Sequence, residues 1–439
     1  MHQQAKKVIP GGVTANIKYF APYPIFMEKG AGSRLYDVDG NEYIDYLLCY
    51  GALILGHGHP AVVEAVQKQL SEHGTTVFGA PHRLELELAE KLASHFPGME
   101  MFRFTNSGLE ATLLAVRLAK AYTGKTKIGK FEGHYHGGYN EVLFSVNPRV
   151  DKAGDPREPK PVPDSKGLSP QDRENTVILP FNDLEAVENI LRKHQSSMAA
   201  VILEPAQGGF IPPEPDFIKG LRKITRELNI MLIFDEVKTG YRLGIGGAQS
   251  VYQVLPDITA LGKVLGGGFP VGAVGAGKEL MELMAPDRGR DIFAAGKSDN
   301  KGEILFHSGT YNGHPMVLAA GLATIQVLEQ NNVMEKLLHN TDHLRASLEK
   351  LYEHYGIPMK TVGAGSIFNI VMTDKEVKNY RDLQKSNIRL REKIDLELLQ
   401  LGVYTKPLNR YSLSVVHTEK DIQETLDAHE KAIKKVTSA

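Results

Sequence analysis

Lys263 ends a short apolar strand, Ile258 to Leu261, and three glycines, Gly266 to Gly268, follow it closely. A lysine at a strand end, beside bare backbone, can lie partly desolvated. Desolvation lowers the pKa of an ammonium and frees the amine as a nucleophile. Upstream, Met231-Leu-Ile-Phe234 runs into Asp235-Glu236-Val237-Lys238-Thr239-Gly240. An apolar run that stops at a carboxylate reads as a buried parallel strand carrying an acid at its carboxyl end, where ligands of α/β sheets bind.

A nucleophilic lysine and a strand-end aspartate are the pair that pyridoxal 5'-phosphate (PLP) requires. The lysine forms the Schiff base, and the aspartate keeps a proton on the pyridine nitrogen. With these two segments in place the sequence resembles the class III aminotransferases of PLP fold type I. It is most similar to their glutamate-1-semialdehyde 2,1-aminomutase branch, from Ile9-Pro-Gly-Gly-Val13 to Val416-His-Thr418.

Other segments acquire roles through that resemblance. Thr105-Asn-Ser107-Gly108 is a turn of small residues opening a helix, which by its residues alone reads first as a plain cap by Ser107 and second as an anion site by its free N–H groups and dipole, an order that the resemblance reverses. The resemblance implies that Ser107, Gly108 and Leu109 cradle the PLP phosphate, with Leu109 standing where the family usually has a hydroxyl. It implies that Tyr135 stacks on the pyridine face and takes part in catalysis, that Val237 packs on the other face, and that Glu204 lies near the cofactor. A capping or ion-paired role for Glu204 fits the sequence as well. The turn Gly309-Thr310 opens a second helix, and the matching family threonine binds the phosphate of the neighbouring subunit's PLP. A homodimer is therefore expected.

For the substrate, Tyr50 occupies the place of an aromatic that flanks it. The aminomutases clamp a carboxylate with an arginine where Lys18 stands here, and carry a glutamate where Asn409 stands, followed by Arg410. Lysine offers a point charge, not a planar fork. These changes favour an aminotransferase that moves an amino group from an amine or amino acid, β-amino acids included, to a keto acid, with Arg410 binding a carboxylate. The alternatives are glutamate-1-semialdehyde 2,1-aminomutase, an enzyme of tetrapyrrole synthesis, and, from another class, a non-catalytic PLP-binding protein. Lys238 replaces the usual apolar residue of its motif, and nothing in the sequence accounts for it.

Composition narrows the field. The chain has 439 residues, and single cores stop growing at roughly 250–300, so more than one packed unit is expected. A net charge of −1 argues against nucleic acid or an acidic membrane held by bulk charge. Cys49 is the only cysteine, which excludes an intrachain disulfide and fits a reducing cytoplasm. No apolar run approaches the ~18 residues of a membrane span, and the first residues lack the apolar core of a signal peptide. The histidine pairs His57/His59 and His134/His136 have no third ligand of suitable type nearby, so no metal is expected.

The positioning elements follow. Arg34–Asp37 and Glu42–Asp45 flank the turn Asp39-Gly40 and predict a hairpin. From about Met101, strands alternate with helices, as far as a helix opening near Met316. The predicted fold is α/β, the PLP-dependent transferase fold type I: a mainly parallel central sheet covered by helices, with a smaller α+β domain. Residues 1–55 are expected to form an arm and small β unit that packs with a small domain at 331–439, and 56–330 the large PLP-binding domain. In the small domain, helices are expected at Met334–His354, Asp382–Leu401 and from Glu419, strands at Ser366–Met372 and Leu413–Val416, and a solvated helix face at Arg389–Lys393. Asn147–Pro170, rich in Pro, Asp, Lys and Gly, reads as a loop, and its Pro163–Leu168 resembles part of the mobile gate of the aminomutases. Val271 to Glu279 nearly satisfies a phosphate-loop motif, but Glu279 replaces the metal-coordinating hydroxyl, which excludes nucleotide hydrolysis.

Overall fold

The apolar runs around Lys263 and Asp235 condense into one seven-stranded sheet. In the computed structural model, which describes residues 1–288 and 303–438, its strands are β1 Met101–Thr105, β2 Lys127–Phe131, β3 Thr176–Leu179, β4 Met198–Leu203, β5 Met231–Asp235, β6 Ile258–Gly262 and β7 Gly272–Ala276. Their order is β1-β7-β6-β5-β4-β2-β3. The pairs from β6 through β3 are parallel, and β7 runs antiparallel to both its neighbours. β4 and β6 are buried at every position, as expected of a sheet covered on both faces.

β7 escaped the sequence reading because it is built from glycine and alanine, which carry little strand propensity. Its glycines answer to close packing: a Cβ on Gly272 would lie 2.2 Å from the Ser107 carbonyl oxygen, and one on Gly275 would lie 2.5 Å from Cε1 of Phe102.

Helices cover the sheet near the expected places, among them Gly108–Thr123, Leu184–His194, Phe217–Glu227 and Pro315–Leu328. A further helix, Arg83–His95, was not anticipated. Its Leu-Glu-Leu-Glu-Leu start alternates with strand period, and only packing of Leu88 and Leu92 into the core fixes it as helix. Phe131, Phe181 and Phe217 meet edge to face under the sheet, with centroids 5.2–5.8 Å apart. Phe131→Ala should therefore lower unfolding stability by about 3–5 kcal/mol through the cavity it leaves, read as an earlier midpoint in urea.

The predicted hairpin forms, pairing Arg34 with Ile44 and Tyr36 with Glu42. It joins Met27–Ala31 on one side, and Val403–Tyr404 on the other in parallel. This ladder ties the first 45 residues to the C-terminal part, and it supports the division we propose: 1–55 packed with 331–439 beside a large unit at 56–330. The segment 289–302 within that large unit lies outside the described residues.

Three expectations for the C-terminal part need correction. The strand after the Gly363 hairpin is Tyr411–Ser412, earlier than Leu413–Val416, because Ile367 and Phe368 pair with those two residues. The long helix expected at Asp382–Leu401 is two, Tyr380–Leu383 and Ile388–Gln400, and Asn387 caps the second by accepting from the Leu390 N–H. Arg391 is not solvated: it is 4 % exposed, its Nε lies 2.7 Å from Asp395 Oδ1, and its guanidinium lies over Tyr411.

The 148–175 segment is tied down at several points. Asp164 accepts from the Val146 and Asn147 N–H groups at 2.7 and 2.9 Å. Tyr380 Oη donates to Asn147 Oδ1 and lies 2.8 Å from the Pro148 carbonyl. Arg381 grips Glu132 and donates to the Gly154 carbonyl. A short helix, Pro170–Glu174, ends it with a capping box from Ser169. Among the described residues no helix is long and apolar enough to cross a membrane.

Candidate active site

β5 and β6 are parallel neighbours in which Asp235 pairs with Ala260. Adjacent parallel strands end at the same sheet edge, about 4.8 Å apart. Asp235, the last residue of β5, and Lys263, the first after β6, are thereby delivered to one crevice. The cavity there has a volume of about 230 Å³ and is lined by Gly108, Leu109, Thr112, Tyr135, His136, Gly137, Glu204, Asp235, Val237, Lys238 and Lys263. A larger groove of about 1230 Å³ lies elsewhere, between the first residues and Leu399–Gly402.

Lys263 has φ +48°, in the left-handed region, at a cost of ~1–2 kcal/mol for a residue with a side chain. The turn after it depends on glycine: Gly267 has φ +58°, and a Cβ there would lie 2.5 Å from Thr324 Oγ1. Burial, with the nearby Lys238 and Arg410 cations, pushes the Lys263 ammonium down to about 7, against the pull of Asp235 and Glu204. The neutral, nucleophilic amine is thereby favoured over what an exposed lysine would carry at the same pH. Labelling of the cofactor-free protein with an amine-specific reagent should modify Lys263 with a midpoint near pH 7, protonated and inert below it, reactive above it. Exposed lysines titrate near 10.4; peptide mapping against pH distinguishes the two.

Asp235 is 3 % exposed, and both its oxygens are held. His136 Nδ1 donates to Oδ2 at 2.7 Å, and the Val237 N–H donates to Oδ1 at 3.0 Å. His136 Nε2 is buried without a partner among the described residues. The next residue, Glu236, faces away and accepts from Thr239 Oγ1 and the Ala248 N–H; its carboxyl is pushed up to about 7 by burial. The motif thus divides by strand alternation, Asp235 into the cavity and Glu236 into the turn behind it.

Glu204 closes the opposite wall. Its Oε1 lies 2.8 Å from Lys238 Nζ, and its Oε2 accepts from the Tyr135 N–H at 3.0 Å and the Gly208 N–H at 3.3 Å. Burial alone would raise its pKa, but the Lys238 ammonium together with the His134 and His136 rings outweighs this and holds the carboxyl well below its usual range. Of the two sequence readings of Glu204, the ion pair is the geometry observed, inside the cavity.

The helix Gly108–Thr123 starts at this cavity. Ser107 caps it, Oγ accepting from the Glu110 N–H at 3.2 Å, and Gly108 packs so tightly that a Cβ would sit 2.6 Å from Val237 Cγ1. Leu109, 38 % exposed, lines the cavity, while Thr112 Oγ1 turns to the His136 carbonyl. Tyr135 is half-exposed at the mouth.

The substrate candidates are spread more widely. Arg410 is close enough to bear on both Lys238 and Lys263. Burial lowers its pKa, opposed by Glu204 and Tyr50, and its Nε is buried and unpartnered among the described residues. The Tyr50 hydroxyl donates to the Ile17 carbonyl at 2.8 Å. Lys18 is exposed on the N-terminal arm, bonded to Thr14 Oγ1 at 2.8 Å, and does not line the cavity. Gly309 and Thr310 are exposed, also outside the cavity of a single chain.

Sequence reasoning missed the parts that no motif spells. His136 had been weighed only as a metal ligand, yet it donates to Asp235. Lys238 had no account until Glu204 came opposite it across the crevice. Among the described residues there is no cluster of three or more groups able to hold a metal. A buried amine poised near neutrality, a doubly held carboxylate and a tight helix start form the donor set that PLP requires, so the residues fit that cofactor.

Known proteins agree with this geometry. The family model for class III aminotransferases matches residues 18–433. A glutamate-1-semialdehyde 2,1-aminomutase of Ignicoccus hospitalis is 42% identical over 443 residues, covering 100% of this chain and 99% of that protein. Among solved structures, an omega-transaminase from Sphaerobacter thermophilus superposes with a TM-score of 0.91 at 35% identity, over 99% of this chain and 97% of that one. A transaminase with PLP bound gives a TM-score of 0.88 at 32% identity, over 100% and 97%. With the match running through both strand ends of the crevice, the chain belongs to the class III aminotransferase family, PLP-dependent enzymes of fold type I.

Proposed function

We propose that this chain moves an amino group on a small, carboxylate-bearing amine, with PLP held covalently at Lys263. The observation that carries the proposal is the buried Lys263 beside Asp235 at adjacent strand ends. Bound PLP supplies an aldehyde that captures amines and a protonated ring that withdraws electrons from the neighbouring carbon. Lys263 Nζ, freed once the substrate amine has taken its place, would take the proton from the substrate carbon bearing the amine and return it. Asp235, oriented by His136 and the Val237 N–H, would pair with the protonated ring nitrogen. Ser107, Gly108 and Leu109 receive the phosphate at the helix start. Tyr135 and Val237 hold the two faces of the ring, and Tyr50 flanks the substrate. Gly309 and Thr310, exposed in one chain, reach the phosphate of a neighbouring subunit's PLP in a cytoplasmic homodimer.

Two forms of the reaction follow. The full-length relative named glutamate-1-semialdehyde 2,1-aminomutase favours movement of the amino group within one substrate, and this outweighs the preference for transamination drawn from positions 18 and 410. A second reading, transfer to a keto acid, keeps support from one observation: the buried Nε of Arg410, which has no partner among the described residues. The omega-transaminase likeness leans the same way. To separate them, the PLP-loaded protein is given glutamate-1-semialdehyde in one arm, and in the other an amino-acid panel, with removal of the donor after mixing. Isomerisation in the first arm establishes the mutase form. Stoichiometric oxo product in the second, with no isomerisation, establishes the transaminase. Neither, with PLP still bound, would leave only a PLP-binding role. In that second arm Lys18→Ala and Arg410→Ala show which cation holds the carboxylate.

A further inference from the structure

Lys238 is an expensive residue for its position. Its side chain is 10% exposed and that of Glu204 is 2% exposed, and an ammonium so placed survives only with a partner. Gly209 makes room for it: a Cβ there would lie 2.6 Å from Lys238 Cδ. Nζ meets Glu204 Oε1 at 2.8 Å, and the other Glu204 oxygen is occupied by the Tyr135 and Gly208 N–H groups. The charges lining this crevice are therefore Asp235, held by His136; Glu204, held by Lys238; and the near-neutral Lys263, while Arg410 does not line it but lies close enough to bear on Lys238, Lys263 and Glu204. Arg410 feels Glu204 as its strongest favourable charge, yet its Nε has no hydrogen-bond partner among the described residues.

Resting on the carboxylate reading above, we propose that Lys238 determines which substrates the site accepts, by holding Glu204 in an ion pair so that Arg410 is left to receive a substrate carboxylate. Without Lys238, a buried carboxylate loses its cation, and Arg410, whose Nε has no partner among the described residues, is the group that would replace it. An internal Glu204–Arg410 pair would then compete with any carboxylate entering the cavity. Lys238 acts through Glu204, so it is a positioning residue.

The test is a ligand-observed NMR titration of propionate, a carboxylate that cannot react, against PLP-loaded protein. Lys238→Met should weaken binding by about 10-fold or more, in the range measured when one partner of a buried charge pair is removed. Lys238→Arg keeps the cation and should bind as the parent does. In the double variant Lys238→Met/Glu204→Gln the competing charge is gone, and binding should recover. Lys238→Met should also raise the pH midpoint of Lys263 labelling in the cofactor-free protein, since one cation is lost and one carboxylate freed. Undiminished propionate binding by Lys238→Met overturns the proposal. So does a double variant as weak as the single, which would mean that Lys238 merely shapes the wall or touches the carboxylate itself. If the unsubstituted protein binds no propionate, the carboxylate reading falls, and this inference with it; the parent arm thus tells the two failures apart.

Discussion

Lys263→Ala is expected to leave a folded chain that turns over substrate at least about a thousandfold more slowly, because the general base and the attachment point vanish together. Folding should survive. The replaced amine is desolvated and makes no salt bridge among the described residues, and alanine meets the same left-handed backbone at φ +48°. Circular dichroism and the melting temperature report that arm. Borohydride reduction supplies the chemical arm: in the parent, reduced PLP should be found on the peptide carrying Lys263, and in Lys263→Ala on no lysine. A tag on another lysine in the parent would sink the assignment, whatever the rates.

Asp235→Asn is expected to cost on the order of 10²–10³ in turnover, the usual effect of removing one preorganised charge from a reacting centre. The amide keeps the shape: its oxygen can accept from the Val237 N–H, which meets Oδ1 at 3.0 Å, and its NH2, in the place of Oδ2, can donate to His136 Nδ1 in the other ring tautomer. It brings no negative charge to keep the ring nitrogen protonated. PLP should still bind, held by Lys263 and the helix start. Spectroscopic PLP content near parental, with slow turnover, is the expected pattern. Full activity in Asp235→Asn would remove Asp235 from the chemistry. Loss of PLP together with activity would assign it to binding instead. The Phe131→Ala and Lys263 labelling experiments concern the scaffold and the amine separately, so they remain informative under either outcome.

The legible parts of the site were those in which local sequence and global position coincide. Met231–Asp235 and Ile258–Lys263 each announce a buried strand and its terminal group in one short run. Their meeting follows because neighbouring parallel strands end on the same edge. Gly108 could be placed at a tight turn for the same reason. β7, by contrast, is a string of glycine and alanine whose strand character comes from the two strands that flank it. The helix Arg83–His95 hid behind an alternating start. Arg391 reads as a surface charge until Asp395, one turn on, and Tyr411 enclose it.

By itself, then, the sequence determined the family, the alternation of strands and helices, and the two residues at the ends of β5 and β6, since each is written within a handful of consecutive residues. Only the tertiary structure decided that His136 grips Asp235, that Lys238 pairs with Glu204, and that Arg410 Nε, near them, has no partner among the described residues. These partners stand 99, 34 and more than 150 positions apart along the chain. Charges so distant in sequence acquire a meaning only when folding removes the water between them and makes each one choose a neighbour.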